Sequence, residues 1–143
     1  NHRVSDYRII AIPQLLHYDF AMIGKASTAD QEVTAEMEQL EKALRFARSN
    51  LSADITAQRL LILIGVYFHE GLSQRELLSF LDSTSVTALS RNIADLSSLT
   101  TKKLPGPSLI ELRADPLNLR VKRVFLTAKG RRFMKRWFAA SAG

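Results

Sequence analysis

The stretch from Asp115 to Gly130, DPLNLRVKRVFLTAKG, constrains this chain more than any other. Asp115-Pro116 followed by Asn118 makes a turn rich in residues that break helices. Arg120 to Leu126 then mixes β-branched and basic residues, the pattern of a strand with one wet face. Thr127 stands where a helix N-cap belongs, and Lys129, Arg131, Arg132, Lys135 and Arg136 follow it. A hairpin tipped with cations, directly ahead of a basic helix, has the shape and charge to meet a polyanion.

The charge of the whole chain supports this reading by its distribution. The net charge is a modest +6. Residues 85–143 hold twelve Lys and Arg against three carboxylates, however, while residues 1–84 hold eight against eleven. A chain polarised in this way suits one phosphate-facing half and one neutral or partner-facing half. At 143 residues it is long enough for a domain with its own core. The absence of cysteine excludes disulfides, thiolate metal sites and cysteine nucleophiles, and fits a cytoplasmic location. The longest apolar run, Leu60 to Phe68, is too short to span a membrane, and no signal peptide is visible, although the sequence begins at Asn1.

Taken in order, residues 1–27 are too apolar for a free tail, with Pro13 placed for the first turn of a short helix reaching about Phe20. Thr28 or Asp30 is positioned to cap a long helix running to about Ser49. Val33, Met37, Leu40, Leu44 and Ala47 form a narrow stripe on it, of the kind that lies along one groove or along a symmetry mate. After a linker at Asn50–Asp54, Thr56 begins a helix that is apolar nearly all round, the buried centre of a domain. Gly71 ends it.

Ser73-Gln74-Arg75-Glu76 is a capping box opening a short helix through Leu77, Leu78, Phe80 and Leu81. A polar turn, Asp82-Ser83-Thr84, leads to a further helix from Ser85 with Val86, Leu89, Ile93 and Leu96 inward. Ser85, Thr87, Ala88, Arg91, Asn92 and Asp95 are expected on its other face. A short helix, a tight turn and a second helix with small polar side chains outward is the helix-turn-helix pattern. Small side chains let the backbone approach base edges, and Arg91 and Asn92 are the long groups suited to guanine and adenine. Beyond the break at Pro105-Gly106-Pro107, Leu109 to Arg113 reads as a strand pairing across the turn with Arg120–Leu126. A closing helix from Ala128 to about Ala140 is expected to bury Phe133, Met134, Trp137 and Phe138.

From about Ile55 to Gly130 the chain resembles the MarR-type (multiple antibiotic resistance) winged helix-turn-helix regulators. The resemblance rests on Leu81-Asp82-Ser83-Thr84-Ser85-Val86-Thr87-Ala88-Leu89 at the start of the reading helix. It rests also on Glu111 to Arg120 with Leu126-Thr127-Ala128-Lys129-Gly130 at the wing and its exit. It implies an α+β fold, mainly α with a small β-hairpin wing, flanked by N- and C-terminal dimerisation helices. The implied division is 1–54 for dimerisation, 55–127 for the DNA-binding domain and 128–143 for a C-terminal packing helix.

The residues expected at DNA are Ser73, Gln74, Ser83, Thr84, Ser85, Thr87, Ala88, Arg91, Asn92, Lys102, Lys103, Arg113, Asn118, Arg120 and Lys122. Those expected at a dimer interface are Ile12, Leu15, Leu16, Val33, Met37, Leu40, Leu44, Phe133, Trp137 and Phe138. Two departures from the family stand out. Asn118 replaces the usual Asp, so a wing-bracing Asp–Arg ion pair is not expected there, and Leu99–Pro107 adds a loop carrying Lys102 and Lys103.

The resemblance implies a homodimeric, sequence-specific binder of double-stranded DNA, a repressor of transcription, and leaves room for a small-molecule effector that no residue set identifies. No cofactor or metal is expected, and nothing points to an enzyme. His2, His17 and His69 are scattered without metal-ligand spacing, and no nucleophile elbow, P-loop or dinucleotide fingerprint occurs. The competing readings are a winged helix that binds protein and a nonspecific DNA-binding module. The number of cations on the wing argues against the first.

Overall fold

The structure, a computed structural model, describes residues 27–82 and 85–142. The apolar N-terminal segment with Ile12, Leu15 and Leu16, and the turn residues Ser83 and Thr84, lie outside the described residues. In chain order the elements are helices α1 (Thr28–Asn50), α2 (Ala57–Phe68), α3 (Gln74–Leu78) and α4 (Val86–Asp95), then strands β1 (Ile110–Asp115) and β2 (Asn118–Leu126), then helix α5 (Ala128–Ala142). This is the expected helix-turn-helix followed by a hairpin and a closing helix.

The chain divides into two compact units within α1, between Leu40 and Glu41. In the first unit, Ser27 rather than Thr28 or Asp30 caps the helix. The Asp30 amide donates to Ser27 Oγ at 3.1 Å, and the Asp30 carboxylate accepts from the Ser27 amide at 3.1 Å, so two orphan donors are satisfied reciprocally. Val33, Met37 and Leu40 are exposed there.

The second unit includes the end of α1, because Ala47 is fully buried in its core. The C-terminal ten residues of that helix therefore pack with the segment expected to begin at Ile55. Four residues of α2, Leu60, Ile62, Leu63 and Val66, form the centre. Leu89 and Ile93 of α4, Ile110, Val124 and Leu126 of the strands, and Phe133, Met134 and Trp137 of α5 close around them. Each such Leu or Ile contributes about 1.5–3 kcal/mol by leaving water. α2 is not buried all round as its apolarity predicts, since Leu61, Tyr67 and Phe68 face outward. Val86 and Phe138, both expected inward, are also exposed, at 48% and 45%.

Capping side chains set the boundaries of these helices. Thr56, Ser73 and Ser85 each accept the amide three residues ahead, from Arg59, Glu76 and Ala88 at 3.3, 3.1 and 3.1 Å. Thr127 Oγ1 does the same for the Gly130 amide at 2.9 Å while donating to the Ser108 carbonyl at 2.6 Å. A Cβ on Gly130 would stand 2.1 Å from the Leu109 carbonyl oxygen, so the start of α5 lies directly against the base of the hairpin. Gly71, at φ 86°, turns the chain after α2 so that its amide donates to the Val124 carbonyl at 2.9 Å. The Val124 amide returns a bond to Leu72, adding a short bridge to the edge of β2.

β1 and β2 pair antiparallel from Ile110↔Leu126 to Ala114↔Lys122. The register then shifts at Asp115, which pairs with Asn118, so a bulge of β2 residues lies just before the tip. Pro116 and Leu117 form the turn, with Leu117 96% exposed. Among the described residues no helix is long and apolar enough to cross a membrane.

Candidate nucleic-acid interface

The exposed side of α4 carries Val86, Thr87, Ser90 and Arg91. Leu89 and Ile93 pack inward, which leaves the N-terminal half of the helix presented to solvent. Ser85 lies at the exposed N-cap, and Ala88 is half-buried beside it.

Asn92 is a correction to the sequence reading. Its Oδ1 accepts from Arg59 Nε of α2 at 3.0 Å, and its Nδ2 donates to the Ala88 carbonyl at 2.9 Å. Both ends of the amide are engaged within the fold, so the side chain faces α2 instead of the outward surface. Asp95 shares this fate, with Oδ2 2.7 Å from Arg59 Nη2. Hydrophobic periodicity placed both residues outside because it counts polar side chains as solvent-facing. The signal that locates them is the one charged side chain, Arg59, on the neighbouring and largely apolar α2.

The wing approaches α3 across a groove of about 600 Å³. Arg75 lines it from the helical side, and Arg120 and Lys122 from the hairpin. All three are exposed, as is Asn118, whose Oδ1 accepts from the Arg120 amide at 3.2 Å. Ser73 and Gln74 line the same groove, Ser73 as the cap of α3. Arg75 was absent from the expected set; its place two residues after a helix cap and in the turn that faces the wing is visible only in three dimensions.

Arg123 and Asp115 brace this hairpin. Arg123 donates to Asp115 Oδ2 through Nε at 2.9 Å and stands 2.7 Å away through Nη2, while Nη1 donates to the Gly71 carbonyl at 2.9 Å. The Leu117 amide, first, and the Arg123 guanidinium hold the Asp115 carboxyl below the usual carboxylate range. An Asp–Arg ion pair does brace the wing, therefore, and its carboxylate comes from Asp115 and not from position 118. Arg113 sits on the same face of the hairpin, paired with Glu111 and with its guanidinium 4.2 Å from the centre of the Phe125 ring. It is exposed but already engaged.

Glu70 fastens the far end of the wing. Its Oε1 accepts from the Leu126 amide at 2.9 Å, and its two oxygens take Arg131 at 2.6 and 2.8 Å. Arg131, one of the cations of the basic helix, thus holds α5 to the strand end.

The added segment after α4 is a small hairpin of its own. The Thr100 amide donates to the Leu104 carbonyl at 2.9 Å, Leu99 bridges Pro105, and Lys103 adopts a left-handed φ of 61°. Asp95 Oδ1 anchors it, accepting from the Thr101 amide at 2.9 Å and hydroxyl at 2.8 Å. Lys102 and Lys103 are exposed at its tip.

Of the residues expected at a dimer interface, Phe133 and Trp137 belong instead to the chain's own core, at 7% and 5% exposure, with Trp137 Nε1 donating to the Ala43 carbonyl at 2.9 Å. Leu44 and Phe138 are exposed. Among the described residues no group of three or more His, Cys, Asp or Glu side chains is placed to hold a metal ion.

No protein-family model and no curated protein sequence matches the chain. Solved structures do. A point mutant of MepR from S. aureus, bound to an oligodeoxyribonucleotide, is similar at 24% identity and a TM-score of 0.56, covering 79% of this chain and 75% of that one. The transcriptional repressor CouR, bound to a 23-mer DNA duplex, is similar at 17% identity and a TM-score of 0.56, covering 87% and 78%. Wild-type MarR from E. coli, in its apo form, is similar at 18% identity and a TM-score of 0.53, covering 80% and 76%. These likenesses establish the fold.

Proposed function

On the premise of the MarR-type winged helix fold, which this chain has, we propose that the protein is a homodimeric, sequence-specific DNA-binding regulator of transcription, a repressor rather than an enzyme. The observation that carries the reading is the continuous outward surface formed by α4, α3 and the wing. Thr87, Ser90 and Arg91 stand on the exposed side of α4, while Arg75, Arg120 and Lys122 line the groove between α3 and the hairpin.

A helix of ten residues with small side chains at its N-terminal half fits a major groove about 12 Å wide. Arg91 is the long donor suited to the two acceptors of a guanine edge, and Ser85 and Thr87 let the backbone come close. The wing cations Arg120 and Lys122 then reach phosphates or the adjacent minor groove, and Lys102 and Lys103 on the second hairpin add a further phosphate contact. A homodimer presents two such surfaces to the halves of an inverted repeat. The exposed Val33, Met37 and Leu40 of α1 supply apolar area of the kind such a dimer needs. Two of the structurally similar proteins were solved on DNA, MepR and CouR, which supports the same use here.

Selection of bound sequences from random duplex DNA tests the proposal directly. An enriched inverted repeat is expected. Enrichment of nothing, with tight binding retained, would make the protein a nonspecific DNA binder; absence of binding would favour a protein partner.

A further inference from the structure

We infer that Arg59 is a positioning residue for base recognition: its guanidinium sets the rotation of α4 about its own axis, and so decides which side chains of that helix meet DNA. The inference rests on the proposed reading of α4 as the recognition helix, but its structural basis is independent of that reading. Arg59 projects from the first turn of α2 and joins two side chains one turn apart on α4, Asn92 Oδ1 at 3.0 Å and Asp95 Oδ2 at 2.7 Å. Asp95 then passes the restraint to the Thr101 amide and hydroxyl at the root of the second hairpin. α2, α4 and the loop beyond are thereby locked into one polar chain.

Directional bonds add to what burial does for this helix. α4 spans ten residues and about 15 Å, a length at which an isolated helix is marginal. Its inward stripe of Leu89 and Ile93 is held by burial, which has no preferred direction. A rotation of about 20° would carry a side chain about 2 Å around the helix surface. That is enough to break a base contact, because hydrogen bonds weaken steeply beyond their short distance range. The forked guanidinium, by contrast, is directional and meets two acceptors at once.

The two partners are well prepared for it. Asn92 is held by its bond to the Ala88 carbonyl. The Asp95 carboxyl lies below its usual range, first through the Thr101 amide and also through Arg59, so it stays ionised.

The test uses the full chain with Arg59→Met, which keeps the aliphatic stem, Arg59→Lys, which keeps the charge without the fork, and Asp95→Asn. Dissociation constants are measured for a selected duplex and for a scrambled one, with the salt dependence of each, and amide hydrogen exchange is followed along α4. Arg59→Met is expected to reduce the ratio of the two affinities about tenfold. Scrambled-duplex affinity and salt slope should stay within about twofold, since phosphate contacts are untouched. Exchange should rise about tenfold at the α4 amides and not at those of α5. Arg59→Lys and Asp95→Asn should fall between wild type and Arg59→Met, and they carry the test if that variant does not fold.

Equal loss of affinity for both duplexes, or unchanged exchange in α4, would overturn the inference. If the wild-type chain shows no preference between duplexes, the regulator reading falls, and the exchange profile still decides the role of Arg59.

Discussion

Arg123 reaches the same carboxylate oxygen of Asp115 with two of its nitrogens, at 2.9 and 2.7 Å, while its third nitrogen holds the Gly71 carbonyl. One guanidinium therefore joins the wing tip to the turn after α2, and the hairpin is set at a defined angle to α3. Arg123→Gln should free the wing without unfolding the core, because Val124 and Leu126 remain buried beside it. The expected result is faster hydrogen exchange confined to residues 112–122 and about a tenfold loss of affinity for any duplex. Protection unchanged along the hairpin would show that strand pairing alone holds the wing.

Arg120 and Arg91 separate the two kinds of DNA contact. Arg120→Ala should weaken binding to all duplexes and lower the salt slope by about 1, as the loss of one phosphate contact does. Arg91→Ala should additionally relax base preference at one position, with about 1–3 kcal/mol of discrimination lost. A gel-shift titration in which neither variant differs from wild type would exclude both assignments.

Gly130 lies so close to the Leu109 backbone that a methyl group has no room. Gly130→Ala forces α5 away from the strand base, against the buried Met134 and Phe133. Destabilisation of about 2 kcal/mol or more is expected in urea unfolding, with the midpoint lowered and the slope unchanged. A midpoint equal to wild type would mean that the helix end moves freely.

Acid should act through three carboxyls. Asp54, Asp95 and Asp115 are each held below the ordinary value, first by the Ser52 hydroxyl, the Thr101 amide and the Leu117 amide respectively. Groups depressed in the folded state contribute stability that is complete above the unfolded value, about 3.9, and lost as pH falls through the folded one. From these groups thermal stability should stay level between about pH 7 and 5 and fall below about pH 4. The fall should be shallower in a double Asp95→Asn, Asp115→Asn variant, measured by melting across pH. An identical acid profile in that variant would locate the sensitivity elsewhere.

The exposed apolar positions of α1 make the dimer testable. Leu40→Glu should shift sedimentation equilibrium toward monomer and lower affinity for an inverted repeat far more than for a single half-site. A wild-type chain that sediments as a monomer at micromolar concentration would dispose of the dimer.

Local chemistry made much of this protein legible in one dimension. Ser73 and Thr127 are helix caps in the sequence and in the structure, because a cap is settled by bonds spanning three residues. The hairpin and its turn follow equally from alternation around Asp115-Pro116. What lay out of reach was the partner of each polar side chain. Asn92 and Asp95 turn toward Arg59, more than thirty residues away in sequence. Glu70 pairs with Arg131 by the same long-range logic, and Asp115 with Arg123 across the hairpin. Periodicity sorts residues into wet and dry, which decides the core, but the destination of a charge depends on where the chain folds back. The sequence by itself determined the winged helix and its cationic half. Tertiary structure alone decided which polar residues remain free to meet a ligand, because each ion pair and hydrogen bond between distant elements removes two candidates from the surface.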